Sequence, residues 1–207
     1  GAGPGSTTAD AAGGGYGGRG GNRQLATSGG GATYGVPFAP TLPGSGGGKA
    51  VQAAGFGGGL VWLECAGTAV VNGTLRACGM SALTTGGGGG SGGAILLAGK
   101  RLTVGASAHL LARGGNAITH GSSPDPDKWY TAGGGGGRIA LWRQVSASAR
   151  DLLIAGQAAA GVETDAAPFV GVDGQISVLG GEGYQDGEAG TVRFVDGRPR
   201  GTVLMLR

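Results

Sequence analysis

Charged side chains are scarce in this sequence, and their scarcity narrows the range of partners. Asp, Glu, Lys and Arg make up 13% of 207 residues, and 15 cations against 12 acids give a formal net charge of +3 at pH 7. The cations are scattered along the chain, so they do not form the clustered patch that binds a polyanion. We therefore expect no nucleic-acid partner.

Long apolar runs are also missing. No run approaches the roughly 18 residues that predict a transmembrane helix, and the first residues lack the pattern of a signal peptide. The sequence starts at Gly1 without Met and stops at Arg207, directly after a strand-like run. We expect no direct membrane insertion, and we interpret the chain as a piece of a longer secreted or processed protein.

Residues with the chemistry of an active site are few. Cys65 and Cys78 lack the CxxC spacing of a redox site and are too few for a zinc site, so they are either a disulfide pair or two buried thiols. His109 and His120 have no Cys, His or acidic partner at metal-binding spacing. The run GGGGGSGG lacks the Lys of a phosphate-binding loop. We expect no catalysis, no metal and no cofactor.

Glycine is present in large excess, with 53 residues. Such a composition is typical of a collagen, a disordered linker or a stacked repeat. Collagen is excluded because no Gly-X-Y period runs through the sequence. Disorder is excluded for most of the chain because the runs VWLEC, AILLA, RIALW, TVRFV and TVLML need burial. A stacked repeat remains.

One turn of that repeat is the stretch 86–115, GGGGGSGGAILLAGKRLTVGASAHLLARGG. Glycine-led first strands begin at residues 60, 94, 138 and 191, and each has apolar residues at alternate positions, which is typical of a strand with one buried face. A second element follows at 69–71, 102–104, 152–154 and 203–205. A third strand is indicated because 71–79 matches 172–180 position by position, with 104–114 as the middle copy.

This pattern predicts an all-β fold, a right-handed parallel β-helix (solenoid) of three stacked sheets with glycine-rich irregular segments. Two apolar ladders are expected along the stack: Val61, Ile95, Ile139 and Val192 in one, and Leu75, Leu110 and Ile176 in the other. Residues 57–207 would form the coils, with loop insertions at 116–132 and 156–171. Residues 1–56 would form a glycine-rich leader or a covering layer.

The alternative is a β-sandwich or an up-and-down barrel, in which Asn72-Gly73 and Asp173-Gly174 would be hairpin turns. The glycine runs at 86–90 and 133–137 also allow two interpretations, since they are either slack loops or segments whose backbones pack closely. Trp62 and Trp142 fall at nearly equivalent outward places. They would form an exposed aromatic stripe or lie beneath the glycine-rich segments, and we favour the second.

The run GGGGSGG before the strand AILL, the third strand NGTLRACG and the start GGGGGRIA of the next coil resemble a known family. They are similar to the glycine-rich, pectin-lyase-like β-helix modules of very large secreted proteins, including mastigoneme-type proteins that form hair-like fibres on cilia. The resemblance covers about residues 55–207. It implies an extracellular, glycosylated structural element at a cell or cilium surface, which associates with itself or with other fibre proteins.

Asn72-Gly73-Thr74 is an N-glycosylation sequon, and a turn between strands would present it. The resemblance to β-helical carbohydrate lyases implies instead a polysaccharide-binding or polysaccharide-lyase-like protein, which would need an acidic calcium cluster beside a basic group. The nearest candidates are interpreted as solvated charges: Asp125, Asp127, Lys128, Lys100, Arg101, Arg113, Glu163, Asp165, Asp186 and Glu188. A third hypothesis, an RNA-associated protein, depends on one RGG-like unit at 16–21.

Overall fold

The computed structural model describes residues 5, 11–23, 29–49, 53–83, 86–118 and 131–198. Within them, short strands follow one another along the chain, and one helix interrupts them. The elements are β1 (Leu60–Glu64), β2 (Thr68–Val71), β3 (Thr74–Arg76), β4 (Ala94–Gly99), β5 (Arg101–Val104), β6 (His109–Leu111), β7 (Arg138–Arg143), α1 (Ala147–Ile154), β8 (Gln175–Ser177) and β9 (Thr191–Asp196).

The strands form three small sheets in which every pairing is parallel. The first has the order β1-β4-β7-β9, the second β2-β5 and the third β3-β6-β8. The four first strands begin at the residues that the repeat predicts. Both ladders are confirmed by the register, which joins Val61, Ile95, Ile139 and Val192 in one and Leu75, Leu110 and Ile176 in the other.

The predicted fold class is nevertheless wrong. The fold is not all-β, because a helix lies between β7 and β8, and the described residues show no closed right-handed parallel β-helix. No strand among them exceeds six residues, and much of the described chain lies in glycine-rich segments outside any sheet. The architecture is a set of small parallel sheets with one helix, which is closer to an α/β arrangement.

The helix replaces the strand predicted at 152–154. Ser146 caps its first turn, since the Ser146 hydroxyl accepts a hydrogen bond from the Ala149 amide at 3.2 Å. Ala149 and Leu153 are spaced four residues apart and are both buried, so they turn one apolar face toward the first sheet. Gly156, with φ of 75°, follows the helix. Residues 203–205, predicted as the last second element, lie outside the described residues.

The central strands of the first sheet, β4 and β7, are buried on both faces by alternating side chains. One face contributes to a core between the three sheets, formed by Ile95, Leu97, Leu102, Val104, Leu110, Ile139, Leu141 and Phe169. The other face carries Leu96, Ala140 and Trp142, and it packs against α1 and the segment that contains Phe38 and Ala39. The outward residues of β4 and β7 are therefore covered by a segment that precedes the sheet in sequence and by the helix that follows β7.

The glycine-rich run at 88–93 lies at the centre of a further core, which consists mainly of backbone. Its amides donate hydrogen bonds to three neighbouring segments, 45–48, 132–135 and 77–80, and each segment is used again three residues later. The donor–acceptor pairs are Gly88 to Gly48, Gly89 to Ala132, Gly90 to Met80, Ser91 to Ser45, Gly92 to Gly135 and Gly93 to Ala77. This period of three is that of a polyproline II helix. The donor–acceptor distances are 2.7–3.0 Å.

The same run accepts hydrogen bonds from three other segments, through the amides of Gly14, Gly55, Gly58 and Gly115. Six segments therefore surround it. The run at 132–137 repeats the arrangement, because its amides donate in turn to residues 11–14, 185–188 and 112–115. We call this set of hydrogen-bonded segments outside the sheets the glycine array.

Glycine is required in the array because the backbones approach closely. A β-carbon at Gly134 would overlap the carbonyl oxygen of Gly90, and one at Gly137 would overlap that of Gly93, both well inside the 3.0 Å that real β-carbons essentially never breach. Neither glycine has a φ in the left-handed region. The close-packing interpretation is therefore confirmed for 87–90 and 133–137, whereas Gly86 has a φ of 90° and no atom within 4 Å of an added β-carbon, so glycine there serves the backbone conformation.

We expect Gly134→Ala to lower the free energy of unfolding by at least about 2 kcal/mol, because the added methyl group forces two backbones apart. Gly67→Ala is the matched control, since a β-carbon there meets nothing within 4 Å, and its effect should stay within about 0.5 kcal/mol. Denaturant unfolding followed by circular dichroism measures both. Equal stability of the two variants would show that the array is loose.

Candidate functional site

A buried arginine fastens the early chain to the first sheet. Arg138, at the start of β7, is only 5% exposed, and its guanidinium donates to the Tyr34 carbonyl at 2.9 Å and to the Thr191 hydroxyl at 3.0 Å. The same group lies 5.4 Å from the centre of the Tyr16 ring. Its partners are neutral groups that position a layer of chain, so this contact indicates a structural clamp.

The ionisation of this cluster does not suit acid–base chemistry. Burial raises the pKa of Tyr16 and of Tyr34, although the positive charge of Arg138 opposes both shifts. Burial also lowers the pKa of the Arg138 guanidinium, but an arginine stays protonated in proteins. The two phenols therefore remain neutral at physiological pH, and neither is a general base.

A cavity with polar walls lies where β1, β4 and β7 end beside α1. It has a volume of about 410 Å³ and is lined by Glu64, Cys65, Lys100, Trp142, Gln144 and Arg150, among others. Arg150 approaches the Glu64 carboxylate at 3.3 Å, and both side chains are partly exposed. The volume falls within the range of small-molecule sites. We call it the corner cavity.

Gln144, in the wall of the corner cavity, has a φ of 54°, which is uncommon for a residue with a side chain. Its amide donates to the Gly99 carbonyl at 3.0 Å and so holds the turn that leaves β7. Trp142 contributes little ring surface to a ligand, because it is 1% exposed. A ligand in the cavity would therefore meet charged and amide groups and little aromatic surface.

Asp196, at the end of β9, is the centre of an ion-pair network. Its carboxylate accepts hydrogen bonds from Arg143 at 2.7 Å and from Arg198 at 2.9 Å. Burial disfavours the charged carboxylate, but the two guanidinium groups outweigh burial and lower the pKa of Asp196 to about 2. Arg143 also lies over the Phe169 ring at 3.9 Å, so the network joins β7, β9 and the segment before β8.

Asp196→Asn should lower the free energy of unfolding at pH 7, because the ionised carboxylate of Asp196 binds the guanidinium groups of Arg143 and Arg198. A carboxyl whose folded pKa is depressed stabilises the fold above its unfolded pKa, near 3.9, and loses that contribution as the pH falls through its folded pKa, about 2. Urea unfolding from pH 7 to pH 2 should show the difference between wild type and variant shrinking below pH 4. A constant difference would contradict the assignment.

The two cysteines are both free and partly buried in the structure. Cys65 follows β1, and its amide donates to the Ala98 carbonyl at 2.9 Å. The Cys78 thiol lies 3.5 Å from the Leu111 carbonyl, beside the third sheet. A Cys65–Cys78 disulfide therefore stays a prediction. Asn72 is exposed between β2 and β3, where a sequon is accessible.

Other residues noted in the sequence form hydrogen bonds with residues of neighbouring segments. His109 Nδ1 lies 2.9 Å from Gln175 Oε1 and so joins β6 to β8, and Arg113, two residues after β6, donates to the Ser177 hydroxyl at 2.7 Å. Trp142 is buried and donates to the Phe38 carbonyl at 2.6 Å, which confirms internal packing for it, whereas Trp62 is 37% exposed. Asp125, Asp127, Lys128 and His120 lie outside the described residues.

Several predicted loop acids act as caps or ion-pair partners. Asp186 accepts the Gly183 amide at 3.0 Å, and Glu188 accepts the Arg19 amide at 3.3 Å. Asp165 lies 3.3 Å from Arg193. In the part of the chain that the structure describes, no three His, Cys, Asp or Glu side chains come together in a way that could hold a metal ion.

No helix among the described residues combines the length and apolar character needed to cross a bilayer.

Sequence reasoning missed the Arg138 clamp and the contribution of Arg150 to the corner cavity. A signal for Arg138 was present, because it alternates with Ala140 and Trp142 on an outward face that is otherwise apolar. A single arginine on such a face indicates a buried cation with partners from another layer. Arg150 was hidden by the prediction of a strand where α1 forms.

Comparison of the chain with protein-family models, with curated proteins and with solved structures finds no match. The resemblance to pectin-lyase-like modules therefore stays a prediction.

Proposed function

We propose that the chain is a non-catalytic structural module of a long extracellular fibre or surface appendage. The observation that carries this proposal is the glycine array, in which buried backbone groups bond to segments distant in sequence. Gly135 donates to Gly14 and Gly136 to Glu188, so early, middle and late chain are joined in one network. Such a network resists local opening because each segment is held on several sides.

The layered repeat supports the same role. We call one repeat of the chain a layer: a glycine run, the short strands that follow it and a second glycine-rich run. The backbone amides and carbonyls of a layer form most of their hydrogen bonds with the layers beside it. Its side chains are mainly small or apolar, so the layers supply stiffness more than chemistry. Other fibre proteins or further copies are the expected partners, and nucleic acid is not.

Extracellular residence at a cell or cilium surface belongs to this proposal. The exposed sequon at Asn72 gives it a direct test: after expression in a secreting eukaryotic host, the chain should carry a glycan that a peptide-N-glycosidase removes. Asn72→Gln and Thr74→Ala should each abolish the mass shift. Asn116→Gln is the control, because Asn116 is not in a sequon. Absence of any glycan on the secreted wild type would contradict the assignment of this site.

A polysaccharide-binding role is the second candidate, and the corner cavity favours it. Lys100 and Arg150 supply positive charge for a uronate, and Glu64 and Gln144 supply acceptors for hydroxyl groups. The buried Trp142 argues against it, since sugars usually stack on exposed rings. The structural role accounts for more of the chain.

The structural role is tested by electron microscopy of the native, unfragmented material at near-physiological salt, with an antibody against this chain. We expect label along continuous filaments with a regular axial repeat. Dispersed compact particles that carry the label would contradict the fibre role and favour polysaccharide binding.

A further inference from the structure

The two ends of the layered stack differ, and one of them is apolar. We call the surface formed by 55–59, β1, β2, β3 and 77–83 the open face. Many of the large apolar side chains exposed in the described residues belong to it: Phe56, Leu60, Trp62, Leu63, Val70, Met80 and Leu83. Exposed apolar side chains concentrated on one surface mark an interaction site.

The open face also has unpaired strand edges. Among the described residues, β1 pairs only with β4, β2 only with β5 and β3 only with β6. The Gly59 carbonyl and the Cys65 amide bond to the β4 side, so the alternate residues Leu60, Trp62 and Glu64 direct their backbone groups outward. The first residues of the two apolar ladders, Val61 and Leu75, are only partly buried, so nothing among the described residues covers this end of either ladder.

Gly59 gives a specific sign that something lies on this edge. Its equivalents in successive layers are Gly93, Gly137 and Gly190, and a β-carbon at each would overlap a carbonyl of the preceding layer: those of Gly59, Gly93 and Gly137 respectively. A β-carbon at Gly59 meets nothing within 4 Å. Glycine at 59 therefore has no packing reason within the described chain, and an added strand would supply one.

The glycine array itself ends at this face. Gly90 and Gly134 face the preceding layer in the same way, but the equivalent residue of the first layer is Phe56, which is 58% exposed. Gly115 faces Met80, and Met80 itself is 45% exposed where a glycine would let another run approach. This face therefore offers a strand edge along β1, whereas the exposed side chains of Phe56 and Met80, and not glycines, lie over the end of the array.

The opposite end of another copy does not fit this edge. The outer edge of β9 is occupied by an antiparallel contact, in which Glu163 and Asp196 exchange backbone hydrogen bonds at 2.9 Å and Ala166 donates to the Phe194 carbonyl. Phe169, from the same stretch, is buried over the core. A capped edge does not extend a sheet, so a second copy does not add its β9 end to this edge.

We propose that the open face is the docking surface of a separate polypeptide, which adds a strand parallel to β1 with branched apolar side chains opposite Val61 and Leu63. This is strand addition to a sheet edge, in which main-chain hydrogen bonds give affinity and alternate side chains give specificity. The proposal rests on the structural role and names the chemistry of its partner.

The probe is a peptide with the sequence of residues 92–99, the strand that already pairs parallel to β1, made soluble by terminal lysines. Its affinity is measured by fluorescence anisotropy, and hydrogen exchange of the chain is followed by NMR. Binding should protect the amides of Leu60, Trp62 and Glu64. Gly59→Val should weaken binding about tenfold or more, a change of about 1.4 kcal/mol, because its side chain occupies the place of the partner's carbonyl.

Gly67→Val is the matched control, since a β-carbon at Gly67 also meets nothing within 4 Å but lies beyond the end of β1. It should bind as the wild type does. A second control that needs no variant chain is the same peptide carrying Ile95→Asp and Leu97→Asp, which should not bind. Equal binding of both peptides, equal binding by Gly59→Val, or no protection of the β1 amides would each overturn the proposal.

Self-association is measured in parallel by sedimentation of the chain alone. If the chain dimerises and protects the same amides without peptide, the occupant is a second copy and the proposal is wrong. Its failure is distinguishable from failure of the structural role, because labelled filaments with unprotected β1 amides would retain that role and remove only the docking strand.

Discussion

The close approach of backbones in the glycine array is the constraint on which the rest of the structure depends. The buried amides of 88–93 and 132–137 find carbonyl partners because most of these residues are glycines, which leave no side chain between neighbouring segments. Glycine loses more conformational entropy on folding than other residues, and a buried amide without a partner would add a further cost. Hydrogen bonding in three directions offsets the entropy cost and also pairs the buried amides, since each segment is fixed by several neighbours at once.

The array also sets the register of the sheets. Each first strand directly follows a glycine segment. The hydrogen bonds that fix the positions of Gly93 and Gly137 in the array therefore determine where β4 and β7 begin. The apolar ladders then follow from a period of two along each strand. The Arg138 clamp and the Asp196 network fasten the outer chain to this frame, and the contacts of the clamp explain why a charged residue, Arg138, is buried.

Much of the strand pairing could be predicted from the sequence, because glycine-led apolar alternation recurs with the same phase at 60, 94, 138 and 191. The fold class could not. Residues 152–154 are as apolar as a strand, and the serine cap at 146 that makes them helical is a weak local signal. The corner cavity could not be predicted either, since Arg150 reaches Glu64, at the end of β1, from a helix that the sequence did not predict.

Amide hydrogen exchange across the whole chain tests the glycine array most directly. If the glycines are packed as described, the amides of 88–93 and 132–137 should exchange as slowly as those of β4 and β7, because they open only when the layers separate. Exchange of these glycines at the rate of an exposed loop, with β4 and β7 still protected, would show that the sheets stand without the array and would contradict the account.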